Sequence, residues 1–364
     1  MSDAAATAAP TVADHWESRP ASWRSREPSE HAGKPGRPLF IGACPRSGTT
    51  LLRSMLNNHP DLAMPAETDF VIPVWLARGS YGDLREARNR RRLAEWIMDT
   101  PGHGGRRIRA GRIERDEAVE RVSASAPTLG SMFASCFQIY ADVHGKPHWG
   151  DKRPAYCNYL EMLFALFPHA QYINLVRDPR AAVSSLMQID YFPGDDALEA
   201  GTAMWEATVR NVDRAARDLH PDQLLDVRYE DMVADPAGVL RAVCDFAGLR
   251  GGDAIEQMIS GERGGKFREG WHEQLSEPVS TVNVASWSKR LEPSEVALIE
   301  HAVPEEMQRF GYERATEPGV APNPAALREL GRQRKRRARR WRRFALGELK
   351  RRVTYRRPVA AETS

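Results

Sequence analysis

The chain has 364 residues, with 52 Lys and Arg against 49 Asp and Glu and only four cysteines. This length allows about two domains, and no apolar run approaches the ~20 residues that a membrane-spanning helix needs. The cysteines show no Cys-x-x-Cys spacing, which argues against a zinc or redox motif, so we expect reduced thiols and a cytoplasmic location.

Charge is divided unevenly along the chain. Residues 328–357 hold 15 Lys/Arg and 2 Asp/Glu, so the remainder holds 37 basic and 47 acidic residues and is mildly acidic. Residues 1–36 are rich in Ala, Pro and charge and have no apolar period, which is typical of disorder. We therefore predict a disordered leader at 1–36, one folded domain at 37–316 and a basic tail at 317–364.

Apolar periodicity predicts the regular elements in chain order. Strands are expected at residues 38–43, 62–64, 148–152, 171–176 and 224–227. Helices are expected at residues 49–58, 69–78, 84–98, 115–124, 128–143, 157–167, 179–187, 197–219 and 235–248. Strands that alternate with helices predict an α/β fold with a mainly parallel sheet, which binds its ligands at the carboxyl ends of the strands.

The turn between the first strand and the first helix is a candidate anion site. Backbone N–H groups at such a turn and at a helix N-terminus point at an anion. Arg46 adds a cation with forked donors, and hydroxyl groups follow at Ser47, Thr49 and Thr50. A nucleoside-triphosphatase P-loop has Lys directly after its second Gly, whereas Thr49 follows Gly48 here. The simpler alternative is a capped helix after a Gly-Thr turn.

The order Pro45-Arg46-Ser47-Gly48-Thr49-Thr50 resembles the 5′-phosphosulfate loop of sulfotransferases that use 3′-phosphoadenosine 5′-phosphosulfate (PAPS). In that family a strand ends in Arg, a Ser follows eight residues later, and the pair grips the 3′-phosphate. Arg177 and Ser185 have this spacing, although a helix start with a surface ion pair is the alternative. The resemblance implies a P-loop-like three-layer sandwich, with PAPS as co-substrate.

A third block, residues 228–236, resembles the Tyr-Glu-Asp segment that follows a strand in the same superfamily. The resemblance implies that Tyr229 lies near the adenine, where it would stack or donate a hydrogen bond. A core Tyr beside a helix cap is the alternative interpretation.

Two further segments resemble tyrosylprotein sulfotransferases and imply catalytic roles. Glu67 stands where that family has its general base, and Lys152 stands where it has the Lys that assists the leaving group. A carboxylate should take the proton of a weakly nucleophilic hydroxyl, while Arg46 and Lys152 stabilise developing charge. This scheme needs no metal, and no ligand cluster is visible. A surface carboxylate and a solvated Lys are the alternatives.

The acceptor segments depart from the tyrosylprotein pattern. Gly264-Gly265 is followed by Lys266 without a nearby Ser, and Arg153 replaces Asp after Lys152. We therefore expect a hydroxyl of a carbohydrate, a lipid or a small molecule rather than protein tyrosine.

The basic tail carries a candidate amphipathic helix. Its apolar face would consist of Ala338, Trp341, Phe344, Ala345, Leu349 and Val353. A solvated disordered tail is one interpretation, an interfacial helix on an anionic membrane surface is a second, and binding of nucleic acid or another polyanion is the least favoured.

Two other functions stay open at this stage. One is a nucleotide-binding kinase or hydrolase with a degenerate P-loop, against which the missing Lys after Gly48 and the lack of a clear magnesium-binding Asp argue. The other is a non-catalytic protein that binds polyanions through its tail.

Overall fold

The computed structural model describes residues 19, 26–32, 36–102, 107–108, 113–192, 194–260, 284–355 and 357–362. A parallel sheet forms its centre, with strands β1 Leu39–Ala43, β2 Leu62–Ala63, β3 His148–Lys152, β4 Gln171–Val176 and β5 Leu224–Arg228. The strand order is β2-β3-β1-β4-β5, and every pairing is parallel. Each residue of β1 and β4 is buried, as expected of strands covered on both faces.

Helices lie between the strands and after the last strand, β5. They are α1 Thr49–Asn57, α2 Val71–Leu76, α3 Ala87–Asp99, α4 Arg115–Ser123, α5 Leu129–Asp142, α6 Leu160–Leu166, α7 Pro179–Met187, α8 Ala197–Ala216, α9 Tyr229–Ala234, α10 Pro236–Ala247, α11 Asp253–Ser260, α12 Pro293–Ala302, α13 Pro304–Arg309 and α14 Pro324–Thr354. The stretch 157–167, predicted as one helix, is divided: a 3₁₀ turn covers Pro154–Asn158 and α6 begins at Leu160. Tyr159 between them has φ −134°, which interrupts the helical path.

Side chains along the strands alternate between two apolar cores. Phe40 of β1 and Tyr172 of β4 pack in a core with α3, α5 and α6, whereas Leu39, Ile41 and Ile173 pack in a core with α1 and α10. Since successive strand residues point to opposite faces, helices cover the sheet on both sides. The predicted α/β three-layer sandwich is confirmed.

The strand order places a crevice beside β1. From β1 the chain goes to one side for β2 and β3 and to the other for β4 and β5. Ligands of open parallel sheets bind at the carboxyl ends of strands where the order reverses. The segments after β1, β3, β4 and β5, which carry the sequence motifs, therefore meet at one edge.

Parts of the segment before β1 contact the body. Arg19 is buried, and its Nε donates to Asp226 Oδ2 of β5 at 2.6 Å. The Ser29 N–H donates to Asp222 Oδ1 at 2.7 Å, and Arg37 donates to the other oxygen of Asp222 at 2.7 Å. Of the predicted leader the structure describes residues 19, 26–32 and 36, and its boundary at 36 stays a prediction.

The basic segment contains the long helix α14, which packs along α8. Arg334 donates to Glu206 of α8 at 2.7 Å, Arg78 pairs with the buried Glu348, and the Phe344 ring meets Tyr159 edge-on at 5.3 Å. Leu346, Leu349 and Val353 are exposed. The apolar face predicted for this helix is thus partly occupied by the body of the protein.

No helix in the part of the chain that the structure describes is long and apolar enough to cross a membrane. All four cysteines are buried and free. Burial raises the pKa of the Cys157 thiol to about 12.

Candidate active site

The turn after β1 contains two residues with positive φ angles, a conformation that side chains disfavour. The six predicted loop residues lie along this turn and the start of α1: Pro45, Arg46, Ser47, Gly48, Thr49 and Thr50. Gly48 has φ +91°, and a Cβ added there would lie 2.5 Å from the Tyr229 ring. Arg46 also has a positive φ, 70°, which is unusual for a residue with a side chain. The loop therefore needs Gly at position 48 for two reasons, its conformation and the aromatic ring against it.

The start of α1 presents backbone N–H groups and a hydroxyl that could donate hydrogen bonds to a ligand. Gly48 is the N-cap and supplies no side-chain cap to the helix, so the first N–H groups of α1 have no such partner. Ser47 is fully buried, and its Oγ has no hydrogen-bond partner within the described residues. A buried hydroxyl without a partner is costly, so this geometry is suited to an anion that accepts hydrogen bonds.

Two guanidinium groups meet beside this turn. The Arg46 Nε donates to Ser185 Oγ of α7 at 3.1 Å, and the Arg177 Nη1 donates to the Arg46 carbonyl oxygen at 2.9 Å. Burial lowers the pKa of Arg46, and the charge of Arg177 lowers it further. The structure thus brings together Arg46, Arg177 and Ser185, which are up to 139 residues apart in the chain, and concentrates positive charge at the ends of β1 and β4.

Tyr229 completes this side of the site. It is the first residue of α9, directly after β5, and the Arg177 Cζ lies 4.4 Å from the centre of its ring. Trp205 of α8 donates from Nε1 to the Arg177 carbonyl oxygen at 2.9 Å, which fixes the backbone at the end of β4. Burial raises the pKa of Tyr229, while the charge of Arg177 opposes that rise.

On the other side of β1, the two predicted catalytic groups form an ion pair. Lys152 ends β3, and its Nζ lies 2.9 Å from Glu67 Oε2 in the segment after β2. The same Nζ lies 3.5 Å from Thr50 Oγ1 at the start of α1. Lys152 is 4% exposed. It therefore connects the Glu67 carboxylate to the turn after β1.

Sequence reasoning missed the buried carboxylate next to this pair. Asp151 is fully buried and accepts hydrogen bonds at Oδ2 from Thr68 Oγ1 at 2.7 Å and from the Tyr156 hydroxyl at 2.6 Å. Burial raises the pKa of Asp151 to about 6. Thr68 directly follows Glu67, and Asp151 directly precedes Lys152. The hydrogen bond between Thr68 and Asp151 therefore holds the two catalytic candidates together. The only sequence signal was an acidic residue inside a buried strand.

A second missed network supports the turn after β4. The Asp178 N–H donates to Glu230 Oε1 at 3.0 Å, and the Tyr312 hydroxyl donates to Glu230 Oε2 at 2.8 Å. Arg180 pairs with Asp178 and with Glu300, both at 2.6 Å. These contacts join α7, α9 and α12 around Arg177. The motifs containing Asp178 and Glu230 were visible in the sequence, but their contact was not.

Some predicted features lie outside the described residues, among them Gly264-Gly265 and Lys266. Among the residues that are described, no three His, Cys, Asp or Glu side chains are grouped so that they could hold a metal ion.

Comparison with known proteins identifies sulfotransferases among the similar chains. Residues 38–253 match the profile described as "Sulfotransferase family". The chain is 30% identical over 306 residues to protein-tyrosine sulfotransferase 1 of Danio rerio, which spans 79% of this chain and 76% of that protein. It is 24% identical over 298 residues to protein-tyrosine sulfotransferase A of Caenorhabditis elegans, which spans 79% and 70%.

Two solved structures have the same fold. The sulfotransferase domain from the Synechococcus PCC 7002 olefin synthase matches with a TM-score of 0.53 and 25% identity, over 79% of this chain and 98% of that domain. The sulfotransferase domain from the curacin biosynthetic pathway matches with a TM-score of 0.52 and 20% identity, over 77% and 98%. The second likeness concerns the fold alone.

Proposed function

The chain belongs to the sulfotransferase family, and we propose that it transfers the sulfuryl group of PAPS to a hydroxyl acceptor. The observation that carries this proposal is the cluster formed at one turn by the guanidiniums of Arg46 and Arg177 and the buried hydroxyl of Ser47, for which the described part of the chain offers no hydrogen-bond partner. Two guanidiniums this close give a strongly positive local potential, which favours an anion beside them. A nucleotide with phosphate groups at both ends fits this charge.

We assign the donor contacts by position in the site. The turn from Pro45 to Thr50 would bind the 5′-phosphosulfate through its N–H groups and hydroxyls. Arg177 and Ser185 would hold the 3′-phosphate, since Arg gives bidentate contacts to phosphate oxygens. Tyr229 would contact the adenine, because its ring lies against both Gly48 and Arg177.

Glu67 is the proposed general base. PAPS supplies a sulfuryl group attached to a phosphate that leaves as 3′,5′-adenosine bisphosphate when the acceptor oxygen bonds to sulfur. Glu67 would take the proton of the acceptor hydroxyl. Lys152 and Arg46 would stabilise the charge that grows on the leaving oxygen. When Lys152 donates to that oxygen, Glu67 loses its ion-pair partner at 2.9 Å and becomes a better proton acceptor.

The test is transfer of labelled sulfate from PAPS to a panel of carbohydrate, lipid, small-molecule and tyrosine-peptide hydroxyls. We expect Glu67→Gln to lower kcat by at least about 100-fold, the lower range of general-base effects. The exposed Glu117 of α4 gives a matched control, and Glu117→Gln should keep full activity. Full activity in Glu67→Gln would show that Glu67 is not the base.

Donor binding is tested separately from transfer. Calorimetry should show that the chain binds 3′,5′-adenosine bisphosphate and that Glu67→Gln binds it equally well. Tight binding of magnesium-ATP without binding of the bisphosphate would instead favour the kinase or hydrolase alternative.

The acceptor class is proposed from the sequence departures. The relatives named above are protein-tyrosine sulfotransferases, so a tyrosine peptide belongs in the panel. Arg153 in place of Asp favours a carbohydrate, lipid or small-molecule hydroxyl. Sulfation of the peptide alone would contradict this preference.

A cytoplasmic location and attachment of the basic segment to an anionic membrane stay proposals. The exposed Leu346, Leu349 and Val353 of α14 support the second one. Liposome flotation of the full chain and of a variant with these three residues changed to Ser should differ, and equal flotation would contradict attachment.

A further inference from the structure

The candidate base lies in a segment without regular structure. Between the end of β2 and the start of α2, residues 64–70 form neither a strand nor a helix. Glu67 is partly buried in this segment, and no ladder of strand or helix hydrogen bonds fixes the backbone that carries it. The position of its carboxylate therefore depends on side-chain contacts made by Glu67 and by its neighbours in the chain.

Three consecutive residues, 67–69, join this segment to the end of β3. As described above, the first two contact the last two residues of β3. The third, Asp69, forms an ion pair through Oδ1 with Nη1 of Arg153, the residue that follows β3. The same Nη1 donates a hydrogen bond to the carbonyl oxygen of Thr68. Arg153 therefore holds both the side chain and the backbone of the segment that carries the candidate base.

The β3 side of this junction is fixed by the sheet. Lys152 pairs with Ile41 in the parallel ladder between β3 and β1, and the Arg153 N–H donates to the Ile41 carbonyl oxygen at 3.0 Å. Ladder hydrogen bonds of this kind hold the backbone of a strand in place. The side chain of Arg153 thus starts from a fixed point and connects the irregular segment to the centre of the fold.

The ion pair between Asp69 and Arg153 is partly shielded from solvent. The two side chains are 35% and 22% exposed, and salt screens partly buried pairs less than exposed ones. The guanidinium also presents several donors in a rigid fork, which suits it to bind a carboxylate and a carbonyl oxygen together. This pair is therefore expected to restrain the segment more than an ordinary surface ion pair would.

We propose that Asp69 and Arg153 are positioning residues, whose ion pair holds the Glu67 carboxylate where it can take the proton of the acceptor hydroxyl. The inference rests on the proposed function, because it assumes that Glu67 is the general base. Asp69 is two residues from Glu67, so loss of the pair would let the carboxylate move away from Lys152 and the acceptor. A displacement of a reacting group by about 1 Å can lower a rate about 100-fold.

Substitutions made with and without the base separate positioning from a merely structural role. Labelled-sulfate transfer from PAPS to the panel of hydroxyls gives kcat and KM for wild type, Arg153→Gln, Asp69→Asn and Arg153→Lys. The first two substitutions are also combined with Glu67→Gln. Calorimetry with 3′,5′-adenosine bisphosphate shows that each variant is folded. Arg250→Gln is the matched control, because it breaks a partly buried ion pair with Asp61, at 2.7 Å, at the other end of β2.

Arg153→Gln and Asp69→Asn should each lower kcat roughly tenfold or more and leave the Kd of the bisphosphate unchanged. Arg153→Lys keeps a cation for Asp69 and should retain part of kcat, and Arg250→Gln should retain all of it. In the Glu67→Gln background, Arg153→Gln and Asp69→Asn should have little further effect, because no base is left to position. If Arg153→Gln no longer binds the bisphosphate, Asp69→Asn in the two backgrounds decides the outcome.

Equal losses of kcat with and without Glu67 would show a structural role and overturn the inference. An unchanged kcat in the variants of Asp69 and Arg153, or a change in KM alone, would overturn it as well. A large loss of kcat in Glu67→Gln would then leave the proposed function standing. Full activity in Glu67→Gln, or no transfer to any member of the panel, would instead remove the proposed role of Glu67 and this inference together.

Discussion

Replacing Asp151 by Asn should remove a pH-dependent contribution to folding. Asp151 is fully buried at the end of β3, where it accepts hydrogen bonds from Thr68 and Tyr156. Burial raises the pKa of this carboxyl from its ordinary value of 3.8 to about 6, although both hydrogen bonds act in the opposite direction. The folded protein therefore holds this proton more tightly than the unfolded chain.

The sign and size of the effect follow from linkage between protonation and folding. The stabilisation from the proton on Asp151 is complete below about pH 4 and is lost as the pH rises through about 6. A pKa difference of about two units corresponds to about 3 kcal/mol. An Asn carbonyl accepts from the same two hydroxyls and does not titrate. The free energy of unfolding of wild type, relative to Asp151→Asn, should therefore fall by about 3 kcal/mol between pH 4 and pH 7.

Urea unfolding followed by tryptophan fluorescence at one-unit steps from pH 4 to pH 8 measures this difference. Subtracting the two curves cancels every carboxylate that wild type and variant share. Asp195 is exposed, and Asp195→Asn should give a curve parallel to wild type. If the difference between wild type and Asp151→Asn stays flat over this range, burial does not control the proton on Asp151 and the reasoning is refuted.

Two other substitutions test the frame of the site. Gly48→Ala should weaken binding of 3′,5′-adenosine bisphosphate roughly tenfold or more. A positive φ costs a residue with a side chain about 1–2 kcal/mol, and the new Cβ would collide with the Tyr229 ring. An unchanged affinity in calorimetry would contradict this prediction. Arg180→Leu removes the cation 2.6 Å from the buried Glu300 and leaves it the exposed Arg314 at 3.7 Å. This change should lower the free energy of unfolding by about 3 kcal/mol. Arg91→Leu breaks exposed pairs with Glu95 and Glu120 and should cost under about 1 kcal/mol. Equal losses of unfolding free energy in urea melts of the two variants would show that burial of the ion pair does not matter here.

The sequence was informative wherever a feature depends on neighbours in the chain. The turn after β1 was predicted because a buried strand, a Gly and a helical apolar period follow one another within 20 residues. The spacing of Arg177 and Ser185 placed one at the end of a strand and the other on the next helix, and the structure has both there. These patterns can be found in the sequence because the repeat of a strand or a helix involves residues only a few positions apart.

Features that depend on contacts between distant segments were not predictable in this way. The apolar period of α14 indicated a helical face that must be covered, but it did not distinguish a membrane from the body of the same protein. Only the structure shows that Arg334 of α14 pairs with Glu206 of α8 and that the Phe344 ring meets Tyr159. The bond between Thr68 and Asp151 joins residues 83 apart, and no local pattern carries information on such a pair.

The turn after β1 is held in a conformation that its own charges oppose. Arg46 has a positive φ, which costs about 1–2 kcal/mol in a residue with a side chain, and the neighbouring charge of Arg177 lowers its pKa. Contacts outside the turn hold this unfavourable arrangement in place. Trp205 donates a hydrogen bond to the carbonyl oxygen of Arg177, and Glu230 accepts one from the N–H of Asp178. If the proposed function holds, an anionic nucleotide would offset the repulsion between the two guanidinium groups. A site arranged in advance in this way would favour the charged donor and stabilise charge that develops during transfer.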